Sequence, residues 1–195
     1  DAWDAQPTIH PVQNGFLRGV GTQQALLLVT SLYEQRYRKS LPTHVAYLDL
    51  EAAFCAVPHW AIQRALRRLN IPGWAVDLMG NIDSGAFTSV ITAHGLSDTF
   101  MEESGVRQGC LLSPLKFIAW MDALLCWMHD DPSDIQLGDG LDLHALAYAD
   151  DLWLVAATRE ALQAKLDKAS AFLDYHGVHC NAGKSNYSTT ETGFR

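Results

Sequence analysis

Two adjacent carboxylates, Asp150 and Asp151, follow Tyr148 and Ala149 and stand between two apolar, strand-length runs. The first run is Leu143-His144-Ala145-Leu146-Ala147, the second Leu152-Trp153-Leu154-Val155-Ala156-Ala157. Acidic residues at the tip of an apolar hairpin are a candidate cation site. Aspartate also suits a tight turn, and for an isolated Asp-Asp pair turn chemistry is the stronger reading. A third acid changes the balance, because the strand Val45-Ala46-Tyr47-Leu48 ends in Asp49-Leu50-Glu51. Carrying acids to the ends of buried strands has a desolvation cost, so three of them point to a use. If this strand pairs beside the hairpin, Asp49 and Asp150 converge. A few carboxylate oxygens with room left for water and phosphate is how Mg²⁺ is usually held. Two such ions roughly 3.5–4 Å apart could activate an attacking hydroxyl and stabilise a leaving pyrophosphate.

The elements that must position these acids are legible in outline. The opening through Gly21 is rich in Gly, Pro, Asn and Gln and should be mostly irregular; Thr22 then caps a helix to about Lys39 with Ala25, Leu28, Val29 and Leu32 at helical spacing. Arg36, Arg38 and Lys39 at its far end suit the helix dipole. Residues 45–50 read as a buried strand, and Pro58 opens a helix to about Asn70. Its core stripe is Ile62, Ala65, Leu66 and Leu69, with Arg64, Arg67 and Arg68 facing outward as a solvated face or a nucleic-acid groove contact. Residues 86–93 and 97–102 form a hairpin through His94-Gly95, residues 115–128 an apolar helix, and residues 159–176 a further helix. Residues 178–180 and 186–189 are short strand-like pieces. The pattern predicts an α+β fold, helices stacked on a mainly antiparallel sheet.

At 195 residues and 48% hydrophobic, the chain can bury one substantial core. Its formal charge of -8 argues against a stand-alone, charge-driven nucleic-acid binder. Asp130, Asp131, Asp134, Asp139 and Asp142, with Pro132, Gly138 and Gly140, read as a solvated loop. Cys55, Cys110, Cys126 and Cys180 make no CxxC pair and look like reduced, intracellular thiols; nucleus and cytoplasm are not distinguished. His176, His179 and Cys180 lack a second cluster to complete a zinc site. No apolar run approaches the ~18 residues of a membrane span. The chain opens on Asp1 and reads as a piece of a longer polypeptide.

Five motifs in order carry a resemblance. Gln13-Asn14-Gly15-Phe16 through Thr22, Asp49-Leu50-Glu51-Ala52-Ala53-Phe54 with Val57-Pro58-His59, and Gly105-Val106-Arg107-Gln108-Gly109-Cys110 with Ser113-Pro114 and Phe117 are the first three. Tyr148-Ala149-Asp150-Asp151 and Gly177 to Asn181 with Lys184-Ser185 complete the set. Each alone is weak, but the ordered set resembles the palm of a reverse transcriptase, most closely that of non-LTR retrotransposons. The resemblance implies a right-hand polymerase palm, with residues 1–42 as partial fingers, residues 43–195 palm-centred, and a thumb and the remaining fingers lying outside the chain.

It also implies roles residue by residue. Asp49 and Asp150 would ligate two Mg²⁺ ions, with Mn²⁺ as the alternative, assisted by the Leu50 carbonyl and by Asp151. Phe54 would stand against the sugar, its ring excluding a ribose 2′-hydroxyl, though core packing explains it equally well. Gln108 and Gly109 would touch the incoming nucleotide and its pairing partner, Gly109 because a missing side chain permits close approach. Lys184 would protonate or neutralise the leaving pyrophosphate. Tyr148 would pack beneath the primer end, although an apolar strand position accounts for it as well. The implied activity is RNA-directed DNA polymerisation: addition of deoxynucleoside triphosphates to a DNA primer on an RNA template.

The match departs from the family pattern at Cys55, Val20 and Leu111, none of them an implied metal ligand. Val20 weakens the expected grip on template, and the fragment alone is expected to have little or no activity. Two alternatives stay open, a group II intron or bacterial retroelement enzyme, and a decayed or domesticated copy serving as a non-catalytic binding module.

Overall fold

The computed structural model of the chain describes residues 9–85, 87–107, 109–128, 135–137 and 142–191. Its elements run α1 (Thr22–Arg38), β1 (His44–Leu48), α2 (Ala53–Ala56), α3 (His59–Arg68), α4 (Gly73–Ser84), β2 (Phe87–Thr88), β3 (Ile91–Thr92), β4 (Gly95–Leu96) and β5 (Phe100–Met101). There follow α5 (Ser113–Met128), β6 (Ile135–Gln136), β7 (Asp142–Leu143), β8 (Ala145–Tyr148), β9 (Asp151–Ala156), α6 (Arg159–His176) and β10 (Asn186–Thr189). The main sheet is antiparallel in the order β10-β1-β9-β8, as the α+β expectation requires.

Pairing of β1 with β9 decides the architecture, because among the described strands β1 alone finds partners on both sides from far along the chain. Ala46 lies opposite Leu154 and Leu48 opposite Leu152, while Tyr47 meets Trp153 edge-to-face at 4.6 Å between ring centroids. Leu152, Leu154 and Ala156 are wholly buried. Helix α6 packs on β9 and β1, α5 on α6 and α3, and α1 on β8. The α5 run is buried almost all round, from Phe117 through Leu125, as expected of a helix in mid-core rather than on the surface. Helix α6 begins and ends where its sequence says: the Thr158 hydroxyl accepts from the Ala161 amide at 3.2 Å, and Gly177 takes φ +66 beyond the last turn.

Several local expectations are corrected. Gly21, not Thr22, precedes α1, and the Gln24 side chain accepts its amide at 2.9 Å. Arg36 does more than face a helix dipole: it is buried, donating through Nε to the Pro42 carbonyl at 2.9 Å and to the Thr43 hydroxyl at 3.0 Å. Two of the three outward arginines of α3 have acidic partners, Arg67 pairing with the exposed Asp77 at 2.9 Å and Arg68 with the wholly buried Asp122. Helix α4 is an element the sequence pattern does not predict, because Pro72-Gly73 reads as a break. The 86–102 hairpin forms as two short pairs, β2 with β5 and β3 with β4, with Ile91 and Leu96 exposed. Residues 178–180 form no strand, only a bridge from Cys180 to Leu50. Of the acidic loop, Asp130, Asp131, Asp134 and Asp139 lie outside the described residues.

Candidate active site

The three acids reach one place through register. Leu48 pairs with Leu152, so Asp49 emerges from the end of β1 beside the start of β9, where Asp151 pairs back to Tyr148. Asp150 occupies the two-residue loop between them. The first loop residue, Ala149, sits at φ +58, a conformation that short hairpin loops usually give to glycine and that costs an L-residue roughly 1–2 kcal/mol. Burial pushes the Asp151 carboxyl above the usual range, and the charges of Asp150 and Asp49 push it in the same direction. Asp151 therefore feels both of the other carboxylates.

Beside Asp49 a second segment is docked by backbone pairing. The Glu51 amide donates to the His179 carbonyl and the Asn181 amide to the Asp49 carbonyl, both at 2.8 Å. These bonds flank the Leu50–Cys180 bridge and leave the Leu50 carbonyl out of it. The Asn181 side chain then folds the chain back, its Oδ1 accepting from Gly183 at 3.1 Å and Lys184 at 3.3 Å. The Asp49 amide donates to the Ser185 hydroxyl at 3.2 Å, and Lys184 Nζ comes to 3.8 Å from Asp49 Oδ2. Lys184 remains 70% exposed, so its ammonium is available to an anion arriving from solvent.

A third segment closes on the other side. The Val106 amide donates to the Phe54 carbonyl at 2.6 Å, the Gly105 amide to the Val57 carbonyl at 2.8 Å, and the Ser104 hydroxyl to the Cys55 carbonyl at 3.0 Å. Gly105 (φ +88) must be glycine twice over, since a Cβ there would also stand 2.7 Å from the Cys55 Cα. The Ser113 hydroxyl holds the Arg107 carbonyl at 2.6 Å. The loop is thus pinned between α2 and the start of α5, with Gly109 at φ +85. Among the described residues nothing lies within 4 Å of a Cβ built on Gly109, so the backbone angle is what its own fold requires there. Gln108 lies outside the described residues.

Phe54 stacks on Phe117 at 4.4 Å and 14°, with Phe16 edge-on at 6.4 Å. It is half-buried, so it packs in the core and keeps part of its ring exposed. Tyr148 ends β8 and lines an apolar cleft of about 270 Å³ with Leu26, Val29, Asp151 and Trp153. The site thus brings together Asp49, Asp150, Asp151 and Lys184, with Leu50, Phe54, Gly109 and Tyr148 carried by the segments around them.

Oxygen donors from partly exposed carboxylates suit a hard divalent cation such as Mg²⁺ or Mn²⁺. Among the described residues, no three acidic, His or Cys side chains are grouped tightly enough to form a finished cage. The fit lies in donor chemistry and shared location.

Sequence pattern alone does not mark the residues that hold these segments: Gln13, Asn181 and Ser185 stand out only as members of motifs, and Asp83, Lys116 and Asp122 have no role assigned by it. The last two interrupt the apolar α5 run, and a charge at such a position was the available signal.

Comparison with known proteins agrees with this arrangement. Residues 2–195 match the family described as reverse transcriptase (RNA-dependent DNA polymerase). The chain is 35% identical over 176 residues to the retrovirus-related Pol polyprotein from a type-2 retrotransposable element of Drosophila melanogaster, covering 89% of this chain and 16% of that protein. It is 31% identical over 183 residues to the Pol polyprotein from the type-1 retrotransposable element R2 of Popillia japonica, covering 93% of this chain and 26% of that protein. Telomerase from Candida tropicalis, solved with a TWJ fragment of telomeric RNA, superposes with a TM-score of 0.71 at 13% identity, over 98% of this chain and 32% of that one; this likeness speaks to the fold. The chain belongs to the reverse transcriptase family, with its relatives among the non-LTR retrotransposons.

Proposed function

We propose that this chain is the palm-centred part of an RNA-directed DNA polymerase of a non-LTR retroelement, with residues 1–42 belonging to the fingers. It would add deoxynucleoside triphosphates to a DNA primer paired with an RNA template. The observation that carries this reading is the β1–β9 register, which delivers Asp49 beside Asp151 while a separate segment presents Lys184 to Asp49. Asp49, Asp150 and Asp151, with the Leu50 carbonyl, would hold two divalent ions, Mg²⁺ or in its place Mn²⁺. When bound, such ions lower the pKa of the attacking 3′-hydroxyl and neutralise charge on the triphosphate.

The chain's own groups supply the rest. Lys184 would protonate or neutralise a leaving pyrophosphate. The Phe54 ring, held by Phe117, would crowd a 2′-hydroxyl and so exclude ribonucleotides. Gly109, and Gln108 beside it, would lie along the templating pair, and Tyr148 would support the primer end. The chain's charge of -8 leaves little of its own to grip a phosphate backbone, so template affinity would come from fingers and thumb segments of a longer polypeptide.

The test is primer extension on poly(rA)/oligo(dT) with dTTP and Mg²⁺ or Mn²⁺, using the chain alone and within a polypeptide of its relatives' length, beside an Asp150→Asn control. Incorporation by the longer protein and its loss in the control are expected. Equal incorporation by both would remove Asp150 from the mechanism, and none by a folded longer protein would favour a non-catalytic binding module.

A further inference from the structure

Gln13 is buried and is not among the proposed ligands, yet both ends of its amide face the hairpin loop that carries Asp150. Its Oε1 accepts from the Gly15 amide at 2.8 Å and from the Ala149 amide at 3.1 Å, and its Nε2 reaches the Ala149 carbonyl at 3.4 Å. The N–H and the C=O of Ala149 flank a single Cα, so holding both restrains φ and ψ of that residue together. Ala149 is the residue that stands at φ +58, where its own methyl gives it no means of staying.

The strap carrying Gln13 is tied to the same strand. The Asn14 amide donates to the Ala147 carbonyl at 2.8 Å, and the Ala147 amide to the Val12 carbonyl at 2.9 Å. Gly15 lies so close to the loop that any Cβ there would overlap the Ala149 nitrogen. Of the residue types that fill this space, only glutamine offers an acceptor and a donor at that reach: glutamate lacks the donor, asparagine is a methylene too short, and methionine has neither.

We propose that Gln13 is a positioning residue that sets the backbone of Ala149 and thereby the direction in which Asp150 and Asp151 leave the hairpin. This rests on the polymerase reading of those carboxylates and adds to it a part played by a residue from the opening strap, far from them in sequence.

The test uses the 195-residue chain without nucleic acid, measuring amide exchange by NMR and Mn²⁺ binding by the free-ion EPR signal. In Gln13→Met, exchange at the Ala149 amide should quicken roughly tenfold or more, while the Ala147 amide, bonded by backbone, stays within about twofold. Mn²⁺ affinity should fall roughly tenfold, as for other groups that orient metal ligands. Gln13→Glu, which retains the acceptor, should keep the Ala149 amide protected. Should Gln13→Met not fold, Gln13→Asn carries the same test, with the same separation of the two amides expected.

Equal quickening at Ala147 and Ala149 would overturn the proposal by reducing Gln13 to general support of the strap, as would no change at Ala149. If the wild type binds Mn²⁺, Asp150→Asn does not, and Gln13→Met binds like the wild type, the proposal alone falls. If wild type and Asp150→Asn bind alike or not at all, the metal reading of the site falls and takes the proposal with it.

Discussion

Lys116 and Asp83 make the strongest test of what holds the site's framework. Lys116 sits one turn into α5, just past the Ser113 hydroxyl that fixes the Arg107 carbonyl, and its Nζ lies 2.7 and 2.8 Å from the two oxygens of Asp83 on α4. Their side chains are 3% and 9% exposed, so solvent screens the pair little. Lys116→Met keeps the aliphatic stem, opens no cavity and strands a carboxylate. Removing one partner of a buried pair costs about 3–5 kcal/mol. For a chain of this size that lowers Tm by about 6–20 °C. The double variant Lys116→Met/Asp83→Leu should return to within about 1 kcal/mol of the wild type or exceed it, since replacing both charges removes the desolvation cost as well. Urea denaturation followed by circular dichroism reads all four corners of the cycle. A loss below about 1 kcal/mol for Lys116→Met, the scale of a surface pair, would refute the reasoning, as would a double variant as unstable as the single one.

Three further outcomes are expected. Asp151→Asn removes a carboxylate whose folded-state pKa is raised by burial, Asp150 and Asp49; solvent screens so exposed a group, so the metal-free Tm should rise slightly, and a Tm that falls would contradict it. His176 is held below its usual range by burial, the Arg64 charge adding to this while the hydrogen bond to the Phe172 carbonyl opposes it. The unfolded chain then binds the extra proton, so the contribution of His176 should fade as pH drops from above 6.5 toward its lower folded value; urea midpoints of His176→Gln over that window should depend less steeply on pH. Gly105→Ala combines a left-handed backbone with a clash on Cys55 and should cost about 2–4 kcal/mol, read as a lower urea midpoint, whereas an unchanged midpoint would mean the loop can detach from α2.

What could be read in advance follows the reach of each interaction. Helix α6 is legible because its apolar positions recur at helical spacing over residues 159–176, and Thr158 and Gly177 bound it in the structure through their immediate neighbours. The aspartates were legible because apolar runs end in acids, and their convergence needed only the assumption that β1 pairs beside the hairpin. Helix α4 escaped because Pro72-Gly73 suggests a stop, although Val76, Met79 and Gly80 bury a helical face. Lys116, Asp122 and Arg36 escaped because a charge in an apolar helix or at a helix end says nothing of its partner, and here the partners are Asp83, Arg68, and the Pro42 carbonyl with Thr43. The reason for Gln13 was equally hidden, since it depends on a backbone angle at Ala149 that composition does not disclose.

The order β10-β1-β9-β8 also has a history in time. Strand β1 has no sheet partner until β9 is made, and its other edge waits for β10 near the end of the chain. Such non-local pairing makes folding slow relative to helical neighbours. On a ribosome, about a hundred residues separate Asp49 from Asp150, so roughly 5–20 s of synthesis pass with the first strand's edges open and its acid alone. Helices α3 and α4 can pair locally in that interval. The carboxylate cluster is therefore among the last features of the chain to exist, and a truncated nascent product would carry Asp49 without its ever meeting Asp150 and Asp151.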